Sequence, residues 1–258
     1  MSNLSNLFQS KQNNVLNVYC TAGYPQLNST ISVMQSLADA GADIIEIGIP
    51  FSDPLADGPV IQASSSIALQ NGMNIEILFN QLKNFRQYSS LKNTSIVLMG
   101  YLNSVLQFGF EKFCATAATV GIDGLILPDL PEHEFELNYG SIIKKYNLDF
   151  IFLVTPETPE QRVKKLDSLS SGFLYAVSSS ATTGYSTTFD KVEQYLQKLQ
   201  SYQLNNKILV GFGIKDKATF QTACKYANGA IIGSAYISAL HECENISATT
   251  KKFLSAIL

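Results

Sequence analysis

Histidine is scarce in this sequence, with only His133 and His241 among 258 residues, and the four cysteines, Cys20, Cys114, Cys224 and Cys243, form no C-x-x-C pair. A metal site is therefore not expected, and the cysteines read as core thiols of a reducing compartment. Arginine occurs only as Arg86 and Arg162. The other cations are lysines, no basic patch stands out, and the net charge is -3, which argues against a nucleic-acid or membrane-surface partner and for a small ligand. No apolar run approaches the ~20 residues that span a bilayer, and the opening MSNLSNLFQSKQNN lacks the apolar stretch of a signal peptide. The expected setting is the cytoplasm or, because the Asn- and Lys-rich composition suggests AT-rich coding, a plastid stroma. Neither G-x-G-x-x-G nor a P-loop string supports a nucleotide.

What is present is a regular alternation. With 46% apolar residues the chain can bury one sizeable core, and residues 1–258 are expected to form a single domain. Short apolar runs read as strands at Val15–Cys20, Ile44–Ile49, Ile96–Met99, Gly124–Leu127, Asp149–Val154, Phe173–Val177, Ile208–Val210 and Ala230–Ile232. Between them lie segments of helical spacing, such as Ser29–Ala40 with Ile31, Met34, Leu37 and Ala38, and Phe110–Val120 closed by Gly121. Two helices are expected to begin with proline and acid, at PDLPEHE and TPETPEQ, and to run through Tyr146 and Leu169. Leu4–Gln12 is expected to lie as a short lid helix over one end. Eight βα units imply parallel strands with right-handed crossovers, and so an α/β fold of the (β/α)8 TIM-barrel type rather than a doubly wound sheet, whose first turn would be Gly-rich where this one reads TAGYP.

The stretch ADIIEIGIPFSDPLADG, Ala42–Gly58, carries the chemistry. Along a strand, Ile44, Glu46 and Gly48 share one face and Ile45, Ile47 and Ile49 the other. One face thus holds a carboxylate beside a residue without a side chain. An unpaired buried carboxylate is costly and shifts toward its neutral form, which makes Glu46 a candidate acid or base; the competing reading is a structural carboxylate paired with lysine or capped by amides. Asp53 and Asp57 follow in a loop stiffened by Pro54, Gly58 and Pro59, where a second carboxylate can hang over the first. Two such groups suit a reaction that delivers one proton while another is held elsewhere on the substrate.

Gly211, Phe212 and Gly213 end the seventh predicted strand; Gly233 and Ser234 end the eighth and open a short helix. Backbone N–H groups at these two strand ends can converge on a phosphate, as loops after strands 7 and 8 of such barrels frequently do. The polar run Ser178–Thr188 on the sixth strand reads as a lid, with Gly184 adding an amide.

EIGIPFSDPLADGP (Glu46–Pro59), LPDLP (Leu127–Pro131), TTG (Thr182–Gly184), GFGI (Gly211–Ile214) and IGSA (Ile232–Ala235) together resemble the tryptophan synthase alpha subunit family, over almost the whole chain from YCTAGYP onward. The resemblance implies a lyase of tryptophan biosynthesis that cleaves indole-3-glycerol phosphate to indole and glyceraldehyde 3-phosphate. It casts Glu46 as the acid/base acting on ring carbon C3 and on the glycerol hydroxyl, and Asp57 as the carboxylate holding the indole N–H. Tyr175 falls beside the acid/base, Gly184, Gly213, Gly233 and Ser234 fall on phosphate positions, Tyr19 and Phe212 line the indole pocket, and Thr183 is the lid threonine. It implies no cofactor in this chain and an α2β2 complex in which indole passes to a β subunit bearing pyridoxal phosphate, docked on the helices after strands two and three and the PDLP loop. Where many members read GVTG, this chain has Ala181, Thr182, Thr183 and Gly184, which alters the freedom of the lid. Alternatives are a sugar-phosphate isomerase or epimerase, disfavoured by the scarcity of histidine, a free-standing lyase that releases indole, and a weakly catalytic subunit that mainly activates its β partner.

Overall fold

The computed structural model describes residues 2–177, 189–211, 213–241 and 243–258, without the side chains of residues 189 and 190. Among the described residues the apolar runs form nine parallel strands: β1 Val15–Thr21, β2 Ile44–Gly48, β3 Ser95–Met99, β4 Gly124–Ile126, β5 Asp149–Phe150, β6 Leu153–Val154, β7 Phe173–Val177, β8 Lys207–Gly211 and β9 Gly229–Ile232. Their order in the sheet is β5-β4-β3-β2-β1-β9-β8-β7-β6. The two ends of that order are one stretch of chain, since only Ile151 and Phe152 separate β5 from β6. Its first half pairs with β4 and its second with β7, and the N–H of Ile151 and the carbonyl of Phe152 continue those two ladders. The predicted single strand Asp149–Val154 is thus where the sheet closes, and with β5 and β6 taken as one, the barrel has the expected eight strands.

Thirteen helical segments cover the described chain: α1 Asn3–Ser10, α2 Ser29–Asp39, α3 Pro59–Gln70, α4 Ile75–Leu82, α5 Leu102–Phe108, α6 Phe110–Val120, α7 Glu132–Glu134, α8 Gly140–Lys145, α9 Glu160–Leu169, α10 Phe189–Ser201, α11 Lys217–Tyr226, α12 Ser234–Leu240 and α13 Ile246–Ser255. In α2 the inward stripe is Val33, Met34 and Leu37, at the spacing that one helix face presents. Past its end Gly41 takes φ +100°, where a side chain is strained, and Ala42 N–H returns to the Leu37 carbonyl. The helix expected up to Tyr146 is broken: α7 runs into a π-helical turn at Phe135–Tyr139 before α8 resumes. Pro131 and Pro159 stand one residue before the helices they introduce, at the cap, followed by Glu132 and Glu160 in the first turn. No described helix is long and apolar enough to cross a membrane.

The alternation along β2 sorts its side chains as the sequence requires. Ile45, Ile47 and Ile49 pack outward among the helices. Ile44 joins an inner cluster with Val15, Val97, Ile126, Ile151, Phe173, Leu209 and Ile231, drawn from all around the barrel. The same cluster contains Leu4 and Phe8 of α1, the expected lid helix, with the Phe8 and Phe173 rings 6.3 Å apart. Burying each of these two side chains stabilises the plug by about 1.5–3 kcal/mol. Helix α1 is anchored at its start, where Ser2 Oγ donates to Asp149 at 2.6 Å and Asn3 N–H donates to Asp123 at 3.0 Å, both at the strands' N-terminal ends. That end is sealed, so the open mouth is the opposite, C-terminal one.

Candidate functional site

Glu46 lies in the middle of β2, above the apolar floor, and is fully buried. Neither lysine nor backbone amide meets it among the described residues. Its one hydrogen bond comes from Asn17 of β1, whose Nδ2 donates to Oε2 at 2.8 Å, while Oε1 has no partner. Burial pushes its carboxyl from 4.5 up to about 8; the Asn17 bond opposes the shift and the charge of Asp57 adds to it. Among the described residues no cation stands beside Glu46 as a structural partner, and burial favours its protonated form.

Asp57 sits in the loop after β2, just ahead of Gly58, the cap of α3. It is half-buried, and burial raises its carboxyl while a hydrogen bond from Tyr101 opposes the rise. Tyr101, immediately beyond β3, is itself held: it stacks on Phe51 with centroids 5.0 Å apart and accepts the Ala56 N–H at 3.0 Å. Asp53, by contrast, is exposed and, among the described residues, accepts from its neighbour Ser52 alone. Of the two loop acids, Asp57 alone is electrostatically coupled to Glu46.

Two tyrosines flank the pair, each lying over a glycine. Tyr19 is aligned with Glu46 across β1 and β2, and a Cβ on Gly48 would stand 1.9 Å from its hydroxyl oxygen. Tyr175 of β7 crosses Gly211 of β8 in the same way, where a Cβ would come within 2.9 Å of the phenol. The glycines are small so that phenol rings can fold across neighbouring strands. Both tyrosine hydroxyls are raised well above their ordinary value by burial, with contributions from Glu46 and Asp57, which locates both rings at the carboxylate pair.

Gly213, just past β8, has φ +39°, in the region that favours glycine, and a Cβ there would meet nothing within 4 Å. Gly233 follows β9 and caps α12, whose first residue is the exposed Ser234. First-turn N–H groups have no intrahelical acceptor and can take an anion. Gly233 is also near Tyr19, since a Cβ would lie 3.8 Å from the tyrosine Cβ. Phe212, Thr183, Gly184 and the lid departures at Ala181 and Thr182 lie outside the described residues.

Two site residues escaped the sequence reading. Asn17 shares the inward parity of Tyr19 on β1, which was enough to place it on the site's face. Tyr101 stands two residues past the end of a barrel strand, a position that points to the mouth. A cleft of about 1470 Å³ lies elsewhere: Arg86, Lys92, Asp123, Lys144 and Asp149 line it at the N-terminal end, and it contains none of the predicted site residues. Its Arg86 is already bonded to the carbonyls of Leu91, Thr94 and Gly121 and to Asp123.

Comparison with known proteins gives a consistent result. Residues 4–256 match the family described as "Tryptophan synthase alpha chain". The chain is 45% identical to the tryptophan synthase alpha chain of Parabacteroides distasonis over all of this chain and 99% of that one. It is 48% identical to that of Flavobacterium johnsoniae over 94% of each. Among solved structures, the tryptophan synthase alpha chain of Legionella pneumophila superposes with a TM-score of 0.89 at 30% identity, over 100% of this chain and 96% of that one. The tryptophan synthase complex of Pyrococcus furiosus gives 0.86 at 34% identity, over 96% and 98%.

Proposed function

This chain belongs to the tryptophan synthase alpha chain family, and from that premise we propose that Glu46 and Asp57 carry out the cleavage of indole-3-glycerol phosphate to indole and glyceraldehyde 3-phosphate. The observation behind this reading is a buried carboxyl, raised to about 8, with one oxygen unpartnered and a second, half-buried carboxylate acting on it. Environments that separate two carboxyls in this way assign one to proton donation and the other to charge stabilisation.

Protonated Glu46 gives its proton to ring carbon C3, which converts the indole to an indolenine with positive charge on nitrogen. Asp57 accepts the indole N–H and stabilises that charge. Glu46, now a carboxylate, takes the proton of the glycerol hydroxyl on the carbon bonded to C3. The aldehyde forms as the carbon-carbon bond breaks, and the bonding electrons return to the ring and neutralise the nitrogen. One proton is given and one is taken, so Glu46 ends as it began. Tyr19, Tyr175 and Phe212 shape the indole pocket, while Gly184, Gly213, Gly233 and Ser234 hold the phosphate under the Thr183 lid.

The product passes to a β partner in an α2β2 complex, and the pyridoxal phosphate belongs to that partner. Leu55, 83% exposed in the Asp57 loop, and Leu106 on α5 present apolar surface beside the mouth, which supports docking there. The bacterial relatives favour a cytoplasmic setting over a plastid one.

The test is indole release by the purified chain, with and without a tryptophan synthase β subunit, for the native protein and for Glu46→Gln. The variant keeps the shape and removes the proton, and turnover is expected to fall by about 10²–10⁴-fold with the fold intact. Residual turnover near the native level would refute the acid/base role. Native cleavage that rises when β is added supports the partnered lyase. Fast cleavage without β points to the free-standing enzyme, and none in either condition to a subunit that mainly activates its partner.

A further inference from the structure

Most inner side chains of the barrel floor are apolar, and Asn17 departs from them with an amide. Asn17 on β1 is aligned with Ile44 of β2 on one side and Ile231 of β9 on the other, both members of the floor cluster, yet it carries a fully buried amide. Nothing in the fold requires an amide there, and a buried polar group is a cost unless it is bonded. Its one bond is the 2.8 Å contact from Nδ2 to Oε2 of Glu46; its Oδ1 and the Oε1 of Glu46 have no partner among the described residues.

The choice of amide matters chemically. A proton donor and acceptor must be held in both of its charge states. A lysine at this place would trap the carboxylate as an anion, and an aliphatic residue would hold neither form. An asparagine donates through Nδ2 to Oε2 in both states, because that oxygen keeps its lone pairs whether the carboxyl is ionised or carries its proton on Oε1. We propose that Asn17 is a positioning residue: it pins Oε2 of Glu46 throughout the cycle and leaves Oε1 as the oxygen that exchanges protons with the substrate. This rests on the acid/base reading of Glu46.

The test uses Asn17→Leu in the full chain, an apolar side chain suited to the floor layer, with Asn17→Val as a second variant whose β-branched side chain suits a buried strand. Glutamate is labelled at the side-chain carboxyl carbon, and the Glu46 resonance is identified by its loss in Glu46→Gln. Removing a donor that favours the ionised form moves the Glu46 titration upward, by about one pH unit. The alkaline limb of the kcat profile moves with it, and the plateau falls roughly threefold to tenfold because the carboxyl is no longer held, while KM stays within about twofold. A purely structural asparagine would alter stability and leave both the titration and the pH limb at native values. Native titration and kcat in a folded variant overturn the proposal even when Glu46→Gln is inactive. If Glu46→Gln retains turnover, the reading of Glu46 fails first and this inference fails with it.

Discussion

At the N-terminal end of the barrel Asp123 is buried against Arg86, 2.6 Å from Nη2, and also accepts the N–H groups of Ile96 and Asn3. Asp43, on the same end, takes Lys11 Nζ at 2.6 Å and the Leu16 N–H at 2.8 Å. Further up the barrel Glu46 is buried with one neutral amide. Burial raises the carboxyl of Asp123 too, but there a guanidinium and two backbone N–H groups pull it back, whereas among the described residues the charge acting on Glu46 is another carboxylate, which raises it further. The lower acids fasten two strand pairs: Asp43, just ahead of β2, accepts an N–H from β1, and Asp123, just ahead of β4, accepts one from β3, while Asn228 ahead of β9 does the same for Ile208 of β8. The same residue type is thus a fastener where its lone pairs are filled and a reagent where one oxygen is left open.

The largest effect that can break this contrast is a pH dependence of stability. Folded Glu46 retains its proton to about pH 8, whereas in the unfolded chain it is lost near 4.5. The folded chain therefore binds more protons than the unfolded one between those values, so this group lowers stability progressively as pH rises through that window. The slope is roughly 1.4 kcal/mol per pH unit and the total on the order of 5 kcal/mol. Urea unfolding at pH 5 and pH 8 is expected to show this fall in the native chain beyond that in Glu46→Gln. Parallel curves for the two proteins would mean that Glu46 is held as an ion like the acids below.

Next in size is Asp123→Ala, which strands Arg86 without its counter-charge. A loss of about 3–5 kcal/mol is expected in the same unfolding assay. Turnover per folded molecule should not change, since the pair lies at the sealed end. A large drop in kcat with native stability would remove the division of labour between the two ends.

The smallest expected effect tests the glycine that makes room at the site. Gly48→Ala sets a methyl group 1.9 Å from the Tyr19 hydroxyl position and forces the ring aside. Stability should fall by about 1–3 kcal/mol, with weakened substrate binding read as a raised KM. Adding Tyr19→Ala should return most of the stability lost to the alanine, because the clash is gone. An equal loss in both backgrounds would show that Gly48 is needed for something other than the ring.

Much of this architecture was legible in the chain. The period-two pattern of Ile44–Ile49 put Glu46 on the inner face, and the proline-broken loop put Asp57 after it, since strand alternation and proline geometry are local rules. Three features were not legible for identifiable reasons. The split at Ile151–Phe152 depends on which neighbour each half of the strand pairs with, and that is fixed only when the sheet closes. The π-turn at Phe135–Tyr139 interrupts a segment whose spacing is still helical, where Phe135 packs against Phe150 and Phe152 at centroid distances of 4.7 and 5.1 Å. Asn17 looked like any polar residue in a strand until β1 was set beside β2 in register.

By itself the sequence determined the eight βα units, the inward parity of Glu46 and the rigid loop that carries Asp57, because each follows from contacts within a few residues. Tertiary structure alone decided that Glu46 meets an amide instead of a cation and that Tyr19 and Tyr175 fold across glycines of adjacent strands. Whether a carboxyl is a fastener or a proton donor depends on the solvent it loses and the partners it gains, and those come from strands far apart in the chain.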